Sequence, residues 1–134
     1  MYKQIVVGTD GSAGANIAVD AAIELARLTS ATLHVVNAHK VTTAYHLAAA
    51  SEVGIPAADI VASNEVIHAE AQRICDQAVE RAARAGVNAE VHCVAGDAAD
   101  TLVKVAQDAN GDLLVVESVA RLAVSMVAAM TWLM

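Results

Sequence analysis

The sequence predicts an α/β fold, an open parallel sheet with helices on both faces, and three observations carry that expectation. Short β-branched runs alternate along the chain with segments whose apolar residues keep helical spacing. Each run ends in turn-forming residues, as in Gly8-Thr9-Asp10-Gly11 and Gly96-Asp97. The chain has no Phe and is 57% hydrophobic, so its core is built from Val, Ile, Leu and Ala, a palette suited to a buried parallel sheet under close-packed helices.

The first strand is Lys3–Thr9, a β-branched run stopped by Asp10-Gly11-Ser12, with Ser12 placed to cap the helix that follows. In that helix Ala15, Val19, Ala22, Ile23 and Ala26 form the inner stripe, and Thr29-Ser30 ends it. Ala31–Ala38 reads as the second strand. Residues 39–57 are the least regular part, punctuated by Gly54 and Pro56, with a short helical turn around Tyr45–Ala50. A long helix then spans about Ala57–Ala85, with Ile60, Ile67, Ala71, Ile74, Ala78 and Ala82 inward and Gly86 at its end. The third strand is Ala89–Ala95. A helix over Ala98–Ala109 follows, with Leu102, Val105, Ala106 and Ala109 inward. Asn110-Gly111 stops it, and Asp112–Val116 is the fourth strand. Right-handed crossovers between parallel strands place the helices on both faces.

With 134 residues the chain is expected to be one domain, 1–134, whose last part, 118–134, is an atypical apolar tail. The formal net charge of -7 and eight scattered basic residues argue against nucleic acid and anionic membrane surfaces as partners. The N-terminus lacks the features of a signal peptide. The apolar stretch Val119–Met134 is too short to span a bilayer and carries Arg121. Cys75 and Cys93 form no CxxC pair and read as small buried groups in a reduced compartment, so a cytoplasmic location is expected.

In an open parallel sheet a ligand sits beyond the carboxyl ends of the strands. That places Gly8-Thr9-Asp10-Gly11-Ser12 and the residues from Glu117 onward at the mouth. A helix start favours anions, but Asp10 opposes a phosphate there and better suits a ribose or base donor. Spacing alone leaves two roles open for Asp10 and Ser12, ligand contact or helix capping.

The segments Ile5–Ser12, Thr32–Val36, Val94–Asp97 and Gly111–Val116, in this order and at this spacing, resemble the universal stress protein family over about residues 1–116. The resemblance implies a Rossmann-like sheet of five parallel strands in order 3-2-1-4-5, related to adenine nucleotide alpha hydrolase-like folds. It also implies a homodimer and a role in stress survival without a defined reaction. In the family's ATP-binding branch, the acid matching Asp10 holds the nucleoside, the residue matching Ala38 contacts adenine, and the loop matching Ala95-Gly96 lies nearby. The phosphates there sit on a glycine pattern after the fourth strand. In this chain its glycine positions fall on Glu117, Ala120 and Met130, and Thr131 alone fits its Ser/Thr position. Losing those glycines removes a backbone cradle, and Glu117 adds a like charge.

The chain also stops at Met134, where the family continues to a fifth strand, so that strand is expected to be missing. The apolar fourth strand then lies at an edge, inviting a dimer through that edge, the tail, or both. The expected function is a non-catalytic stress-response protein acting by ligand or protein binding, with a degraded ATP phosphate site. The alternative is ATP or AMP binding through Gly8, Thr9, Asp10, Gly11, Ser12, Ala38, Ala95, Gly96 and Thr131. A small α/β enzyme ranks below both.

No catalytic set is expected. Ser12 lacks a G-x-S-x-G elbow, and Gly8-x-x-Gly11 is not a dinucleotide fingerprint. The five histidines show no metal-ligand spacing, with His34 and His92 in strands, His39 and His46 in the irregular segment and His68 on the long helix, so no metal is required. The Met126, Met130, Trp132 and Met134 cluster reads as the packing of a terminal helix, with an adaptable partner surface as the alternative.

Overall fold

A computed structural model describes residues 1–40 and 44–117. In chain order the elements are β1 (Gln4–Gly8), α1 (Ala13–Thr29), β2 (Thr32–His39), α2 (Ala44–Glu52), α3 (Ala57–Arg84), β3 (Ala89–Ala95), α4 (Ala98–Asp108) and β4 (Leu113–Val115). The strands form one parallel sheet in the order β3-β2-β1-β4. Ile5 pairs with Leu33 on one side and Leu113 on the other, so β1 lies inside the sheet with both backbone edges bonded.

Alternation along the inner strands assigns the two faces. Ile5, Val7, Leu33 and Val35 point to one side and join Val19, Ala22 and Ile23 of α1 with Ala78 and Ala82 of α3. Val6, Val36 and Leu114 point to the other and pack on Val105 and Ala106 of α4. Consecutive strand residues are therefore buried on both sides, which is why β1 reads as an unbroken apolar run. The Arg81 guanidinium ties α3 to α1, with Nη2 donating to Asp20 Oδ1 at 2.6 Å and Nη1 to Asn16 Oδ1 at 3.2 Å.

The caps match their sequence signals. The Ala15 N–H donates to Ser12 Oγ at 3.1 Å, and the Asp100 N–H donates to Asp97 Oδ2 at 3.1 Å. Ser30 ends α1 in the left-handed region, and Gly86 follows the end of α3 with φ +76°.

Three expectations are corrected. His39 is the last residue of β2, not part of the irregular segment, and the expected turn near Tyr45 is a nine-residue helix. The inner stripe of α3 begins only at Ala71 and continues through Cys75, Ala78 and Ala82, while Ile67 is 40% exposed. Length explains this last difference. Twenty-eight helical residues span about 42 Å, whereas the eight-residue β2 spans about 26 Å, so the N-terminal half of α3 overhangs the sheet. Burial pushes the Cys75 thiol up to about 12, and Cys93 is half-buried, so both stay protonated at neutral pH.

Among the described residues, no helix is long and apolar enough to cross a membrane. The tail at 118–134, where the expectation of a missing fifth strand falls, lies outside the described residues.

Candidate functional site

The chain runs outward from β1 to β2 and β3, then returns to place β4 on the far side of β1. That reversal opens a crevice beyond the carboxyl ends of β1 and β4. A cavity of about 150 Å³ lies there, with Gly8, Asp10, Val36, Ala38, Leu102 and Glu117 among its walls. Its size is below the roughly 300–1,000 Å³ usual for ligand pockets, enough for a compact group such as a nucleobase. A second depression of about 340 Å³ shares Asp10 and Ala38 and extends under Ile67 and Ile74 of α3.

The β1–α1 turn is held by its own hydrogen bonds. The Gly11 N–H donates to Thr9 Oγ1 at 3.1 Å, and the Ser12 N–H donates to Asp10 Oδ1 at 2.9 Å. Asn37 Nδ2 donates to the Thr9 carbonyl at 2.8 Å from the neighbouring strand. Gly11 adopts φ +81°, a left-handed conformation that glycine takes without a Cβ clash. The Asn37 Oδ1 atom is buried with no hydrogen-bond partner among the described residues.

Glu117 sets the electrostatics of the crevice. Ser12 Oγ donates to its Oε2 at 3.3 Å, and its Oε1 lies so close to Gly14 that a Cβ there would approach it to 2.2 Å. The carboxylate therefore rests on the first turn of α1, which has no acidic residue of its own. That is the position where a helix N-terminus attracts an anion. The chain fills its own anion site with a side chain, and Gly14 makes the room.

Hydrogen bonding by Ser12, whose backbone N–H donates to Asp10 Oδ1 at 2.9 Å, holds the Asp10 carboxyl below its ordinary value of about 3.8. A depressed folded-state value stabilises the fold above the ordinary value, and that contribution is lost as pH falls through the folded one. Urea titrations from pH 5 to pH 2 are expected to show a shallower loss of stability for Asp10→Asn than for the wild type. Parallel curves would mean that Asp10 is not anchored in this way.

The crevice gathers Gly8, Thr9, Asp10 and Ala38 of the expected site, with Gly11 and Ser12 in the adjoining turn. Ala95 lines a separate depression of about 410 Å³ with His39, Glu65 and His68. Gly96 binds back to β2, its N–H donating to the His39 carbonyl at 2.9 Å. Thr131, and the tail positions Ala120 and Met130, lie outside the described residues. The apolar walls Val36 and Leu102 read in sequence as core residues, and nothing in their spacing marks them as pocket lining.

Histidines that show no metal-ligand spacing along the sequence meet across the sheet. His39, His68 and Cys93 converge on the α3 side of the sheet, and His34, Glu90 and His92 converge on the α4 side. Within each group the ligand atoms lie within 4.8 Å of one another, a spacing that could hold a metal ion. Parallel pairing of β2 with β3 brings these residues together, which sequence distance does not reveal.

A family model described as the universal stress protein family matches residues 1–128, reaching beyond Val116 into the tail. Among curated proteins, none matches the chain. Among solved structures, a universal stress family protein from Burkholderia pseudomallei is 27% identical with a TM-score of 0.70, covering 98% of this chain and 88% of that one. A universal stress protein in complex with cAMP is 30% identical with a TM-score of 0.61, covering 85% of this chain and 71% of that one. A protein from Mycobacterium tuberculosis H37Rv is 32% identical with a TM-score of 0.57, covering 87% of this chain and 71% of that one.

Proposed function

Because this chain belongs to the universal stress protein family, we propose that it is a non-catalytic stress-response protein whose crevice takes the adenosine part of an adenine nucleotide and rejects a triphosphate tail. The observation that carries this reading is the Glu117 carboxylate lying on the first turn of α1, where phosphates would otherwise be drawn. Asp10, kept ionised, accepts from ribose hydroxyls or a base amino group, and Ala38 offers a small apolar wall. A relative 30% identical to this chain was solved with cAMP, an adenine nucleotide bearing a single phosphate. AMP and cAMP therefore suit the crevice better than ATP, and their binding requires no metal.

In this reading Ser12 is a structural residue. Its hydroxyl accepts from the Ala15 N–H to cap α1 and bonds Glu117. In the same reading the protein works in the cytoplasm and forms a homodimer. The edge of β4, whose Leu113 and Leu114 are buried from both faces of the sheet, is the surface on which two chains pair, with or without the tail.

Calorimetric titration of nucleotide-free protein with adenosine, AMP, cAMP and Mg-ATP tests the ligand assignment. Comparable affinities for adenosine and the monophosphates are expected, with Mg-ATP weaker by about tenfold or more, the equivalent of ~1.4 kcal/mol. Tighter binding of Mg-ATP than of AMP would overturn the role given to Glu117. No heat from any of the four would overturn nucleotide binding altogether.

A further inference from the structure

The α4-side face of the sheet carries a polar group that the nucleotide crevice does not use. His34 stands on β2 opposite Glu90 of the edge strand β3, and His92 follows two residues later on the same face of β3. His34 Nδ1 lies 3.1 Å from His92 Nε2 and 3.4 Å from Glu90 Oε2. On its other side, His34 Nε2 lies 2.7 Å from Gln4 Oε1 of β1.

We propose that His34, Glu90 and His92 form a binding site for a zinc-class divalent cation at the β2–β3 edge of the sheet. The first argument is distance. Around a tetrahedral zinc with nitrogen and oxygen ligands at ~2.0–2.1 Å, neighbouring ligand atoms stand about 3.4 Å apart; His34 Nδ1 has about that spacing to both partners, and all three ligand atoms lie within 4.8 Å of one another. The second is orientation. The Gln4 carbonyl oxygen can only accept, so the short contact puts the His34 proton on Nε2 and turns the Nδ1 lone pair toward Glu90 and His92. A hydrogen bond from the outer nitrogen to a carbonyl is how protein scaffolds fix a ligating imidazole.

Chemistry and exposure agree with this assignment. Imidazole and carboxylate together suit zinc and its first-row neighbours, and no thiol takes part. His34 is buried, His92 half-buried and Glu90 exposed, so a fourth position remains open to water. Two ligands belong to the edge strand and one to its neighbour, so a bound ion would pin β3 to β2.

The α3-side group is less suited. His39 meets His68 through Nε2 at 3.2 Å but approaches Cys93 through Nδ1 at 4.0 Å, and one ion cannot use both ring nitrogens. That group therefore serves as the internal control.

The test is calorimetric titration of the chelator-treated full chain with zinc chloride, alongside thermal unfolding with and without zinc. One ion per chain is expected to bind with micromolar affinity or better and raise the melting temperature. His92→Ala and Glu90→Gln should each weaken binding by about tenfold or more, and Gln4→Leu, which leaves all three ligands in place, by about tenfold. His68→Ala should leave it unchanged. Cobalt-substituted protein should show no thiolate charge-transfer band. Each of these side chains is outside the fully buried core apart from His34, which is left intact, and circular dichroism checks the fold of every variant. Absent stoichiometric binding, affinity insensitive to His92→Ala, or binding lost in His68→Ala would each overturn the proposal.

Discussion

Replacing Glu117 with glutamine is expected to raise the affinity for Mg-ATP by about tenfold or more while leaving that for adenosine within about twofold. The carboxylate rests on the first turn of α1, bonded to Ser12 and seated over Gly14. A phosphate brought to that helix start meets a like charge. At ~4 Å each such contact costs about 1 kcal/mol in water and about 4 kcal/mol near a protein surface. Glutamine keeps the size and the hydrogen bond to Ser12 but removes the charge. Adenosine carries no phosphate, so its binding through Asp10 and Ala38 should barely respond. Calorimetry of both ligands on both proteins separates the contributions. Equal changes for adenosine and Mg-ATP would show that Glu117 shapes the whole crevice and does not act through charge.

Leu33→Ala is expected to destabilise the fold by about 2–5 kcal/mol, against a total of roughly 5–15 kcal/mol for a domain of this kind. Leu33 is 0% exposed, lies between Ile5 of β1 and Ala89 of β3, and packs in the cluster shared by α1 and α3. The cavity left by truncation can close only if both helices shift toward the sheet. Ile67→Ala on the overhanging half of α3 should change stability by no more than about 0.5 kcal/mol, although both residues are large aliphatics on regular elements. Urea unfolding with unchanged slope measures both. A comparable loss for Ile67→Ala would mean that the N-terminal half of α3 is covered in solution.

The contrast between Leu33 and Ile67 shows where periodicity stops being informative. Helical spacing correctly identifies the side of α3 that faces the sheet, as Ala71, Ala78 and Ala82 confirm. It carries no information about where the sheet ends, so Ile60 and Ile67 look equivalent to Ala78 until the strand lengths are known. The site divides in the same way. Asp10 and Ser12 are legible because a strand stop followed by a helix cap is a local signal, and Glu117 is legible as a charge where a glycine would be expected. Val36 and Leu102 are not, since a residue lining a crevice beside the core obeys the same pattern as one within it.

The order of strands and helices, the apolar faces and the two loops at the mouth of the sheet follow from local chemistry: β-branched runs, helical spacing, caps and turn residues act over a few positions along the chain. The parallel register acts between segments far apart. It sets His34 beside Glu90 and His92, and brings Glu117 onto the first turn of α1, 105 residues after Ser12. Such contacts arise from strand pairing and helix packing, where the neighbours of a side chain are chosen by topology and not by sequence distance.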